Sequence, residues 1–272
     1  MPSQTLKRRS LHTIFALAYL RLRLLLRQKL GWISIGIGCL LVGLSILVAN
    51  VSFVNPEKIF WDFSLGVIFV LQVGLSVLLG SQIYSDEKER RTLHLLLTSG
   101  VSRAHWIIGN AIGIWLALSL MNLLWFLLTL GTAALSFEVT TVGKVMALQA
   151  VLLISVETLV LILFSMFTSF FVRPLIALSA SALATVFMHS LGSLQRVFTD
   201  PQAGRFVEDR GFSIVLWMGR ALPPLEWLDL KSFVGYEAQM PWFYVAQMAG
   251  LGILWAILFA AFSWARFDRM DL

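Results

Sequence analysis

Charged residues cut the chain into long uncharged blocks. Between Lys29 and Glu57 lie 27 uncharged residues, and between Asp62 and Asp86 another 23. Arg103 to Glu138 encloses 34, Arg173 to Arg196 encloses 22, and Glu237 to Arg266 encloses 28. The block from Lys144 to Arg173 holds 28 residues with one charge, Glu157. A helix rises 1.5 Å per residue, so crossing bilayer hydrocarbon takes about 20 apolar residues. Every block reaches that length. None alternates in polarity as the strand of a membrane barrel would. The pattern predicts an all-α polytopic membrane protein, a single transmembrane domain over 1–272. Its six spans fall near 31–54, 63–84, 105–135, 146–171, 175–196 and 241–264.

Composition agrees. Hydrophobic residues make up 58% of the chain and charged residues 13%, where a soluble domain carries about 25% charge. Cys39 is the one cysteine, so no disulfide forms within the chain. The net charge of +6 is distributed by side. With both termini cytoplasmic, 14 basic residues fall inside and 7 outside, and 7 of the inner ones directly precede the first span. Basic residues collect on the cytoplasmic side of membrane proteins. That accounts for the charge without nucleic acid and orients both termini inward. The first apolar block is too long for a removable signal, whose core has about 7–15 residues. Trp32, Trp61, Trp106, Trp242 and Trp264 lie near span ends, where interfacial tryptophans anchor helices.

Three segments outside the spans have a pattern of their own. Residues 11–29, LHTIFALAYLRLRLLLRQK, gather Leu11, Phe15, Ala18, Leu22, Leu25 and Leu26 on one side of a helical wheel. Thr13, Arg23 and Arg27 stand opposite. Such a helix suits the cytoplasmic interface, with its arginines toward anionic headgroups. Residues 85–103, SDEKERRTLHLLLTSGVSR, form the densest charge cluster. The acids Asp86, Glu87 and Glu89 precede Arg90 and Arg91, an order that suits the dipole of a helix over 86–99 with Ser85 as its N-cap. Leu93, Leu96 and Leu97 share one face of it, and Gly100 stops it. An oily face and a charged face on one connector predict a docking surface. The segment 197–240 is the large external one. Pro223 and Pro224 break any helix there, so short helices at the outer leaflet are expected.

Several chemistries are missing from the sequence. Gly143-Lys144 is followed by Val145 and lacks the rest of a phosphate loop, and the sequence has no His-Glu-x-x-His. His12, His94, His105 and His189 have no metal-ligand spacing. No Gly-x-Ser-x-Gly elbow occurs. The polar residues left in hydrocarbon are Glu157, mid-way along the fourth span, and His189 in the fifth. A charge at that depth costs about 2.5–3.5 kcal/mol on insertion scales, so such groups pair or face a cavity. An ion-coupled carrier or channel built on Glu157, or a membrane enzyme using Glu157 and His189 as acid and base, are the alternatives these two residues leave open. A structural, hydrogen-bonded carboxyl is the plainer reading.

The stretch from Ser85 to Arg103 resembles the signature of ABC type-2 permeases, the membrane subunits of ATP-binding-cassette exporters. Thr92, Leu96, Leu97, Val101, Ser102 and Arg103 match it, while Arg91 stands where glycine is commoner and Gly100 where proline is. The ending Phe267-Asp-Arg-Met-Asp-Leu272 is similar to the basic–acidic close of such chains. The resemblance implies a permease paired with a second permease subunit, in a plasma membrane. Each subunit would engage a cytoplasmic ATPase that binds the ATP and magnesium, and this chain would hold no cofactor. It assigns 86–99 as the coupling helix, with Asp86, Glu87, Glu89, Arg90, Arg91, Thr92, Leu93, Leu96, Leu97 and Arg103 at the ATPase interface. It makes 11–29 the interfacial elbow, and it implies export or lateral extraction of a lipid-like cargo.

Overall fold

A computed structural model describes residues 2–51, 55–89, 92–98, 100–137, 140–199, 222–234 and 240–270. Helix α1 spans Pro2–Arg27 and α2 Lys29–Val51; α3 is Pro56–Glu89, α4 is Thr92–Thr98 and α5 is Arg103–Ser136. Helix α6 covers Thr141–Ser169, α7 Pro174–Thr199 and α8 Trp242–Asp268. Among the described residues between α7 and α8 are two short 3-10 helices, Leu225–Leu228 and Lys231–Phe233. Six of the helices are long and apolar enough to cross a membrane: α2, α3, α5, α6, α7 and α8. The helix ends are set by local chemistry. Pro56 and Pro174 open α3 and α7, where the missing N–H costs nothing. Ser102 and Thr140 cap α5 and α6, their hydroxyls accepting from His105 N and Gly143 N, each cap worth about 1 kcal/mol.

Helix α6 is the axis of the bundle. It packs on α3, α5, α7 and α8, and it is the most buried of the spans. Much of the surface of α2, α7 and α8 stays apolar and exposed, as the lipid-facing side of a span must. One end of the bundle, here called proximal, carries α1, the α3–α5 connection and the α6–α7 turn, with the end of α8. The other, distal end carries the segment 222–234.

One helix boundary and one expectation about faces need correction. Helix α1 begins at Pro2, not at residue 11, and its buried side is Leu17, Ala18 and Leu25, while Phe15 is 69% exposed. The reason is on α5. Gly109 and Gly113 form a Gly-x-x-x-Gly pair against which Leu17, the Ala18 backbone and Arg21 lie, and a Cβ at Gly113 would come within 2.7 Å of the Ala18 carbonyl oxygen. Close backbone approach at small residues, and not the size of the leucines, sets the docked face. The tryptophans divide as well. Trp32 is 67% exposed, but Trp61 and Trp106 are fully buried. Position along a span does not determine which way a residue faces, and these two indoles turn inward to bond Glu57 and Glu87.

Candidate functional site

The charge cluster after the second span does not form one helix. Asp86, Glu87, Lys88 and Glu89 are the last turn of α3, and Ser85 is interior to that helix, so Ser85 is no N-cap. The apolar register of α3 simply runs on into the charged turn. Arg90 and Arg91 lie outside the described residues, as does the Leu97 side chain. Helix α4 then starts at Thr92, whose hydroxyl donates to Glu87 O at 3.2 Å. It ends at Thr98, and Gly100 beyond it has φ +90°. The Val101 N–H reaches back to Leu96 O at 3.4 Å, a six-residue closure that glycine's left-handed backbone permits.

Helix α4 has two faces. Leu93 is buried and Leu96 packs against the core. Thr92, His94, Leu95 and Thr98 are exposed, with Leu95 at 70%. Asp86, Lys88 and Glu89 also face outward. Glu87 does not. Its carboxylate accepts from the buried Trp106 indole and feels the charge of Arg21 on α1. Beside this turn is an open cavity of about 780 Å3, lined by Tyr84, Lys88, Glu89, Phe170, Arg173 and Met270 among others.

Four aromatic rings knot the proximal helix ends together. Phe267 of α8 stacks on Phe170, at the end of α6, with centroids 5.2 Å apart. Trp106 of α5 lies 5.4 Å from Phe267, and Tyr84 of α3 lies 4.9 Å from Phe170. Arg103 closes the knot. Its guanidinium donates to Phe267 O at 2.5 Å and Asp268 O at 2.6 Å, and sits 5.4 Å from the Phe267 ring. Cations suit the carbonyl end of a helix. The resemblance implied Arg103 at the ATPase interface; in the structure its guanidinium bonds the end of α8.

The two polar residues of the spans meet. His189 Nε2 lies 2.6 Å from Glu157 Oε1, although 32 positions separate them in sequence. The Glu157 carboxyl is buried, and its Oε2 has no hydrogen-bond partner. The Phe69 ring stands edge-on to His189 at 5.1 Å, and Lys231 Nζ sits 3.8 Å from the face of that same ring. Lys231 in turn pairs with Asp229. Glu157 thus joins α6 to α7, directly under the distal segment. Nearby, Thr158 donates to Ile154 O at 2.8 Å, and Gln72 donates to Leu118 O at 2.8 Å. Among the described residues no group of three or more His, Cys, Asp or Glu could hold a metal ion.

A profile of the family described as ABC-2 family transporter protein matches residues 49–203. The chain belongs to the ABC-2 transporter family. No curated protein matches it. The matched region runs from the end of α2 through α7 and contains both the α3–α4 segment and Glu157. Membrane subunits of ABC-2 transporters work with an ATPase partner. What the sequence reading missed is the ring knot and the Gly109/Gly113 seat of α1. The second was open to view, since Gly-x-x-x-Gly in an apolar stretch is a packing signal. The first had only a faint trace: an aromatic residue near each of four helix ends.

Proposed function

We propose that this protein is the permease subunit of an ATP-binding-cassette exporter, driven by a separate cytoplasmic ATPase that docks on Asp86–Glu89 and α4. The observation that carries this reading is the exposed, mixed-charge turn and the short half-buried helix after the second span of an ABC-2 family chain. Helix α4 is held by Leu93 and shows Thr92, His94, Leu95 and Thr98 to a partner. The twofold basic asymmetry favours cytoplasmic termini in a plasma membrane, which puts this surface on the side where ATP is. The ATPase supplies nucleotide and magnesium binding. A second permease subunit completes the transporter, and membrane lipid covers the apolar faces.

The test is copurification. Asp86→Lys with Glu89→Lys reverses two outward charges and leaves the inward Glu87 bond alone. Like-charge juxtaposition costs several kcal/mol, and each 1.4 kcal/mol is tenfold in affinity. The double variant should reach the membrane normally and lose the ATPase. Undiminished copurification and ATP hydrolysis would reject the docking assignment.

A further inference from the structure

We infer that Phe267 is a positioning residue that couples the ATPase-facing end of the protein to the distal segment 222–234; the inference rests on the docking reading above. Three helices reach both places: α3, which brings Tyr84 to the knot and packs on the 3-10 helix Lys231–Phe233, and the pair α6 and α8. At the proximal end that pair contributes Phe170 and Phe267 to the ring knot. At the distal end both pack on the 3-10 helix Leu225–Leu228. Leu228 lies beside Gly252 of α8, and Val156 of α6 lies against that same glycine. Leu225, Leu228, Leu230 and Val234 are all buried, so the distal segment is seated on the bundle and moves with the helices beneath it.

The knot is where α4 and α3 join this pair. Thr92 bonds Glu87 O, Glu87 bonds Trp106, Trp106 abuts Phe267, and Phe267 stacks on Phe170. Phe267, Trp106 and Phe170 are buried in contact with one another, and in a close-packed interior one ring cannot shift without displacing its neighbours. Small shears of packed helices are a common way to turn a local push into a distant movement. Phe267 and Phe170 each meet the other three rings of the knot, and of the two Phe267 is the one that Arg103 also holds, over its ring and at its carbonyl.

The experiment separates docking from transmission. A cysteine is placed by Trp227→Cys, at a site 58% exposed in the distal segment, in a Cys39→Ala background. Labelling by an impermeant thiol reagent is compared with and without ATP–magnesium in the transporter complex. The unaltered knot should give an ATP-dependent labelling rate. Phe267→Leu, which keeps an apolar side chain and removes the ring, should retain the ATPase and its hydrolysis yet lose that dependence. Tyr84→Phe, which keeps a ring in the knot and leaves the Glu87–Trp106 bond in place, should preserve it. A response that persists in Phe267→Leu overturns the inference and leaves docking intact. Loss of the ATPase in Phe267→Leu also overturns it, because the residue then serves docking itself. If the complex with the knot unaltered shows no ATP-dependent labelling, no relay exists. If that complex holds no ATPase at all, the docking reading fails first and the relay falls with it.

Discussion

Trp106, in the first turn of α5, donates its indole proton to Glu87, in the last turn of α3. The bond spans the α3–α5 connection and takes one acid out of the outward charge cluster. It predicts a split between substitutions at Glu87. Glu87→Gln keeps an acceptor and should lower the thermal midpoint of the purified subunit only slightly. Glu87→Leu leaves the buried indole N–H unsatisfied, a cost of about 1–3 kcal/mol, and should lower it clearly. Equal midpoints would mean that the bond does not hold the connection.

Orientation is open to direct labelling. Cysteines introduced by Ser3→Cys and Gln202→Cys in a Cys39→Ala background should differ toward an impermeant thiol reagent in intact cells. Gln202→Cys should react and Ser3→Cys should not. The opposite pattern would reverse the topology and take α4 away from any cytoplasmic partner.

Helix α1 is seated by glycine. Gly113→Ala puts a Cβ against the Ala18 backbone, which cannot swing aside as a side-chain tip can. Overpacking of this kind costs about 1–3 kcal/mol, and limited proteolysis within α1 should quicken. Gly36→Ala and Gly43→Ala meet nothing within 4 Å and should leave the digestion pattern unchanged. Similar digestion for all three would argue against the seat.

At the Glu157–His189 pair, removing either partner differs from neutralising it. Glu157→Gln retains a group that can bond His189, so the subunit should assemble and stimulate its ATPase near normally. His189→Ala leaves a buried carboxyl without its hydrogen-bond partner, at a cost of about 1–3 kcal/mol, so membrane levels of the subunit should fall. A large loss of turnover in Glu157→Gln with assembly intact would move the pair from structure to the transport path.

How much could be read in one dimension follows from what each property depends on. Span number and length are sums over neighbouring residues, so the uncharged blocks located all six helices. Most ends moved outward where flanking polar residues stay helical, as Asp86–Glu89 do in α3, while α6 stops at Ser169, short of the expected 171. Punctuation is equally local: Pro56, Ser102, Thr140 and Gly100 each act through their own backbone or first turn. Facing is not local. In lipid an apolar residue is satisfied on either side of a helix, so hydrophobicity does not mark the buried face as it does in water. Leu17 rather than Phe15 is therefore covered, and Trp61 and Trp106 turn inward while Trp32 does not. For the same reason the reach of His189 to Glu157, the inward Glu87 and the stacking of Phe267 on Phe170 were decided by tertiary packing. Each depends on the rotation of two helices about their own axes, which steric fit between distant segments sets and no window of neighbouring residues encodes.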